Sequence, residues 1–285
     1  MQGILLATHG GVSADGAAQV ASLLAARVHG PLTTLVVYAP IRVVDYGFGA
    51  TYVPTPEDEA EMQAALMASA TEQLRRCGVV GLPPMLRTGI VPPEIAATAR
   101  ALGASVIVTG LGSHSIVDRT LGGETALHLA QGAHTPVLAV PAQTTAIPHR
   151  VIAAIDFSAT SVRAARTAAG WLRAGDELHL VFVAPKPRHP IPATSAANQA
   201  VVNRLTTVGV ELRVATGVHV DATQLSGDPA RTLLDHAHRL DGDLITLGSH
   251  GYGAVKRLVL GSVASRIIRL ATCAVLVAPI GCLEA

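Results

Sequence analysis

The chain repeats itself. Pairing residue n with n+138 aligns Val106–Pro141 with Leu244–Pro279 without a gap. Val106-Ile-Val-Thr-Gly110 falls on Leu244-Ile-Thr-Leu-Gly248, and Pro136-Val-Leu-Ala-Val-Pro141 on Ala274-Val-Leu-Val-Ala-Pro279. The same offset sets Gly89 on Gly227. Nearer the start the offset grows: Leu6-Ala-Thr-His9 falls on Ala153-Ala-Ile-Asp156 at +147, and Leu35–Pro40 on Leu180–Pro185 at +145. The first half thus carries extra residues around Ile41–Pro54, including Tyr46-Gly-Phe-Gly-Ala-Thr-Tyr52. The word Leu-Gly-Ser-His occurs in both halves, but matching it directly needs +136 and breaks the spacing to the last strand. A repeat of this period means two copies of one template, and 285 residues are enough for two small domains.

Each copy reads strand, helix, strand, variable segment with helix, strand, helix, strand, helix, strand. Alternation of this kind predicts right-handed crossovers and a five-stranded parallel sheet flanked by helices, an α/β fold in each half. Hydrophobic residues make up 49% and aromatics 3%, so the core must be built from Ala, Val, Leu and Ile, which suits sheets covered on both faces. In the second half the strands are placed at Val151–Ile155, Glu177–Ala184, Glu211–Val214, Leu244–Leu247 and Ala274–Ala278. In the first half Thr55-Pro-Glu-Asp58 is a helix start, and the helix should run to Arg76 with Gly78 as stop. Ala142–His149 is the expected linker, giving domains at 1–142 and 149–285.

Gly248-Ser-His-Gly-Tyr-Gly-Ala-Val-Lys-Arg-Leu-Val-Leu-Gly-Ser262 follows the fourth strand of the second half. Glycines let backbone N–H groups approach a ligand, and a helix opening at Gly261-Ser262 offers unpaired donors and partial positive charge. Together they describe a phosphate cradle. The read-alone alternative is that these glycines are turn residues. Asp156 has a bland alternative too, as a helix N-cap, although Ser158 can fill that role.

These residues resemble the universal stress protein family in tandem form. Gly248, Gly251, Gly261 and Ser262 match its G-x2-G-x9-G-[S/T] pattern, joined by Asp156 at the end of the first strand, Gly227-Asp228-Pro229 before the third helix, and a closing Val-Leu-Val-Ala-Pro. The resemblance spans essentially the whole chain. It implies flavodoxin-like or Rossmann-like domains and, in many members, ATP (with Mg as its counter-ion) at the carboxyl ends of the strands, where doubly wound folds place ligands. Carried over, it sets Asp156 beside ribose and base, with Ala154, Val183 and Leu247 as walls. Gly248 and Gly251 would let the chain wrap ribose and phosphates. Gly261, Ser262 and Val263 would donate to phosphate. Lys256 and Arg257 are more simply solvated loop cations.

The first half departs from the pattern. His9 stands at the place of Asp156, Ser113 at that of Gly251, and Glu124 at that of Ser262. A carboxylate at a helix start satisfies the N–H groups itself, worth about 0.3–1 kcal/mol, and repels a phosphate. The first half is therefore expected to bind no ATP and to act as a partner lobe. The functional expectation is an ATP-binding regulator of a stress response, with an unknown protein partner; the alternatives are a slow ATP hydrolase or a scaffold that binds no nucleotide. Neither a Walker A sequence nor a kinase catalytic loop occurs, so an enzyme is not expected.

Net charge is +1 and basic runs are short, which gives no reason to expect nucleic acid. No apolar run reaches the ~18 residues of a membrane span despite a mean hydropathy of +0.42. Twelve histidines and three cysteines lack metal-ligand spacing, so no metal site is expected, and the unpaired cysteine count suggests a reducing, cytoplasmic setting. The closing strands are short and apolar, and are expected at sheet edges. They should pair within the chain as a pseudo-dimer, with a further homodimer as an open alternative.

Overall fold

The computed structural model describes residues 3–40, 44–45, 51–111, 123–185, 195–250 and 260–280. In chain order the first half runs β1 (Gly3–Ala7), α1 (Asp15–Val28), β2 (Leu32–Tyr38), β3 (Val44–Asp45), β4 (Thr51–Tyr52), α2 (Pro56–Arg76), β5 (Met85–Thr88), α3 (Val91–Ala101), β6 (Ala104–Gly110), α4 (Gly123–Gly132) and β7 (Val137–Val140). The second half runs β8 (Arg150–Ala154), α5 (Ala159–Ala169), β9 (Glu177–Ala184), α6 (Ala196–Thr216), β10 (His219–Ser226), α7 (Pro229–Arg239), β11 (Leu244–Gly248), α8 (Ser262–Leu270) and β12 (Ala274–Ala278).

One ten-stranded sheet holds both halves, in the order β10-β9-β8-β11-β12-β7-β6-β1-β2-β5. Within each half the order is 3-2-1-4-5 and every pairing is parallel. This is half of the Rossmann arrangement rather than the flavodoxin order, in which the third strand sits beside the first. The sheet order reverses between β1 and β6, and between β8 and β11, and a crevice opens there at the carboxyl ends. The halves join where β7 and β12 pair antiparallel, Val137 to Val277, Leu138 to Leu276 and Ala139 to Val275. Each closing strand is thus the edge of its own half, and the pairing removes both edges. The β3–β4 pair forms a separate antiparallel ribbon within the extra residues of the first half.

Local sequence explains the element ends. Thr55 caps α2 by accepting the Asp58 N–H at 3.2 Å, while Asp58 Oδ2 accepts the Thr55 N–H at 2.8 Å, a reciprocal capping box. Cys77 ends the helix and Gly78 follows at φ +66°, the left-handed region open to glycine. The interior is aliphatic. One buried cluster runs through both halves on one face of the sheet, from Ile4, Leu24 and Val108 to Val151, Leu178 and Leu276. Two smaller clusters lie on the other face, beneath α3–α4 and beneath α7–α8.

Two expectations need correction. Glu211–Val214 is not a strand: it lies inside α6, which Ser195 caps through the Asn198 N–H and Gly217 ends in a left-handed turn at φ +72°. The strand is His219–Ser226. The second repeat offset is +146 rather than +145. Thr8 donates to the Leu35 carbonyl as Ile155 does to that of Val181, and Gly89 donates to Tyr38 as Gly227 does to Ala184. The shared Ala-Pro after each second strand suggested the wrong register, and a one-residue slip exchanges the two faces of a strand. The true equivalents of Val181 and Val183 are Leu35 and Val37, which also face the smaller cluster.

Candidate nucleotide crevice in the C-terminal half

The end of β8 turns sharply into α5. Phe157 takes φ +64° in this turn, a backbone state uncommon for a residue with a side chain. The Asp156 carboxylate supports it: Oδ1 accepts the Ser158 N–H at 2.9 Å and the Ser158 hydroxyl at 2.6 Å. Ser158 caps α5 by accepting the Ser161 N–H, so the helix cap is Ser158 and not Asp156. Phe157 stacks on Phe182 with centroids 5.3 Å apart, and the Arg204 guanidinium carbon lies 4.1 Å from the Phe157 ring centroid as a cation–π contact.

Gly248 ends β11 against the first turn of α5. A Cβ there would collide with Thr160, so this glycine is required by packing whatever else it does. Gly261 is the N-cap of α8, and its N–H donates to the Ser249 carbonyl at 2.8 Å. That amide is therefore engaged, contrary to its expected role as a phosphate donor. Gly261 offers closeness instead: a Cβ would sit 3.1 Å from the Ser249 carbonyl oxygen. α8 carries no side-chain cap, and helix geometry leaves the N–H groups of Ser262, Val263 and Ala264 without intrahelical acceptors.

These elements enclose a cavity of about 260 Å³ at the carboxyl ends of the strands. Ala154, Asp156, Val183, Leu247, Gly248, Gly261, Ser262 and Val263 all line it. Gly251, Lys256 and Arg257 lie outside the described residues. Sequence reasoning missed the remaining walls, Ser161, Phe182, Leu233 and His250 among them. His250, which follows Gly-Ser in the sequence, is 6% exposed, with Nδ1 2.9 Å from the Ser249 hydroxyl and a buried Nε2 that has no hydrogen-bond partner. Among the described lining residues Asp156 is the only carboxylate, and no Lys or Arg is present. Among the described residues the α8 N-terminus offers a group of amide donors to an anion seated here. Asp228 caps α7 and also receives Arg266 of α8, whose Nη1 lies 2.9 and 2.8 Å from its two oxygens. The Arg231 N–H and then the Arg266 guanidinium hold the Asp228 carboxyl below its usual range.

The first half has its own crevice at the matching place, lined by His9, Thr109, Gly110 and Thr125 among others. The backbone of Glu124 lies in the first turn of α4; its side chain, and Ser113, are outside the described residues. Among the described residues no group of three or more His, Cys, Asp or Glu could hold a metal ion, and no helix is long and apolar enough to cross a membrane.

A profile of the universal stress protein family matches residues 1–141 and again 148–279. A solved universal stress protein from Archaeoglobus fulgidus DSM 4304 is similar over 97% of this chain and 98% of its own, with a TM-score of 0.65 at 21% identity. A putative universal stress protein from Pseudomonas aeruginosa UCBPP-PA14 covers 98% and 93%, with a TM-score of 0.58 at 17% identity. Both likenesses concern the fold. Universal stress protein YxiE of Bacillus subtilis is 38% identical over 61 residues, which is 21% of this chain and 41% of that protein, so the match spans under half of the relative's length. The universal stress protein in QAH/OAS sulfhydrylase 3'region of Thermus aquaticus is 34% identical over 130 residues, 44% of this chain and 95% of its own.

Proposed function

The chain belongs to the universal stress protein family, and from that premise we propose that its C-terminal half binds ATP and that the protein is a nucleotide-responsive regulator of a stress response. The observation that carries this reading is convergence. Eight residues that the family resemblance implicates, drawn from β8, β9, β11 and α8 and from the turns beside them, line one cavity at the topological switch point. Its walls are apolar enough to hold a base, with Ala154, Val183 and Leu247 as floor. Asp156 stands at the mouth of α5 as an acceptor suited to ribose hydroxyls. The N–H groups of Ser262, Val263 and Ala264, with the Ser262 hydroxyl, are the phosphate donors. ATP would supply the charge that this helix end attracts, and Mg would be held chiefly by the phosphates, as is usual for that ion.

Binding of this kind regulates by linkage. A ligand at a hundred times its Kd stabilises the folded state by about 2.7 kcal/mol, enough to hold the crevice and its helices in one arrangement for a protein partner. The setting is cytoplasmic, where ATP is abundant and thiols stay reduced.

The test is the nucleotide content of the purified full chain. Acid extraction should release an adenine nucleotide, or added ATP should raise the melting temperature in a saturable way. A preparation with no excess absorbance at 260 nm and no thermal shift with ATP would contradict the reading.

A further inference from the structure

We propose that the N-terminal crevice is a second ligand site, one that takes an uncharged and largely apolar small molecule. The crevice measures about 990 Å³, against about 260 Å³ for its C-terminal counterpart. It falls at the upper end of the range of about 300–1,000 Å³ occupied by small-molecule pockets. None of its described lining residues is Asp, Glu, Lys or Arg. The floor is aliphatic, with Leu35, Val37 and Ile95 as its main side chains. Polar atoms come from hydroxyls and two imidazoles: His9 Nε2 lies 3.5 Å from the Ser13 hydroxyl, and His128 stands at the mouth. Groups of this kind orient the polar edge of a neutral ligand. Where α8 opens on Ser262, α4 carries Glu124 in its first turn, and a negative residue at a helix start disfavours a phosphate there.

The two crevices differ in the residues on their flanking helices. In the C-terminal half Asp228 at the start of α7 and Arg266 of α8 form an ion pair that bridges the two helices. The residues at the matching positions, 138 earlier, are Ile90 and His128. Ile90 is the N-cap of α3 with no side-chain cap bond, and it is 73% exposed. An isoleucine at position 90 cannot form that ion pair. A neighbouring hollow of about 540 Å³ shares Ile90, Pro92 and His128 as walls, so the same three residues border both spaces.

The experiment is a fluorescence titration of the full chain with Nile red, a neutral apolar dye. Wild type should bind it saturably, and saturating ATP should leave it bound. The variant I90D/H128R restores the bridge at two exposed positions and should weaken dye binding at least tenfold. His128→Trp, a single exposed change that fills the mouth, should give the same loss if the double variant folds poorly. The proposal is overturned by absence of saturable dye binding in wild type, by displacement of the dye with ATP, or by unchanged dye affinity in both variants. Since ATP is assigned to the other half, loss of ATP binding alone would leave this site standing.

Discussion

Leu138 pairs across the central seam with Leu276, its own counterpart in the repeat. The flanking pairs exchange in the same way: Val137 meets Val277, and Ala139 meets Val275. An interface in which residue i meets j while the equivalent of j meets the equivalent of i is isologous. The two halves therefore relate as the subunits of a two-fold dimer, built into one chain. The seam is aliphatic, with Leu138 and Leu276 fully buried.

Since one buried cluster includes residues of both halves, the chain should unfold as a unit. Scanning calorimetry is expected to give a single transition. Leu138→Ala should lower its stability by about 2–5 kcal/mol, as for other buried leucines, and shift that one transition. Two resolved transitions, only one of them moved by the substitution, would contradict a shared core.

Asp156 has a structural task beside any ligand. Its Oδ1 accepts two donors from Ser158 in a turn that holds Phe157 at positive φ. Asp156→Ala should cost about 1.5–3 kcal/mol in urea unfolding, the scale of losing hydrogen bonds to a charged group. Asp156→Asn keeps an acceptor and should cost less. An alanine variant as stable as wild type would show that the turn does not need the carboxylate.

His236 gives the protein an acid-sensitive point. Burial, then the positive charge of Arg239, and then His179, lower its pKa below the ordinary 6.5. The Arg239 guanidinium lies 2.9 Å from Nδ1, an arrangement that suits a neutral ring accepting a hydrogen bond. The unfolded chain therefore takes up a proton that the folded one resists, and stability falls as pH drops through 6.5 towards the folded value. Urea midpoints at about pH 7.5 and about pH 5.5 should differ less in His236→Gln than in wild type. An equal difference in both proteins would place the sensitivity elsewhere.

Cys273 should be inert. Burial pushes its thiol up to about 11, so almost no thiolate exists near neutral pH. Peptide mass mapping after alkylation should find it unlabelled in the native chain and labelled in denaturant. Native labelling as rapid as that of a free thiol would contradict this burial.

Much of the fold was legible because the repeat gave each element two independent readings. The strands at Glu177–Ala184 and Ala274–Ala278 were placed to the residue, and Thr55-Pro56 announced α2. The third strand of the second half was not. His219–Ser226 is an edge strand with exposed polar positions, so its apolar alternation is weak, while the valines inside α6 imitate a strand. In the crevice, glycines and Asp156 could be found by spacing. His250 could not, because a histidine after Gly-Ser is legible as a loop residue until burial places its ring against the cavity. Nor does sequence say that the Gly261 amide is taken by Ser249, a bond between two turns brought together only by the fold.

The asymmetry between the halves is tested most directly by calorimetric titration of ATP into the full chain, wild type beside Gly261→Glu. The expected result is one ATP per wild-type chain, and no measurable heat of binding once a carboxylate occupies the start of α8. Two ATP per chain, or binding that survives Gly261→Glu, would contradict the assignment of nucleotide to the C-terminal crevice.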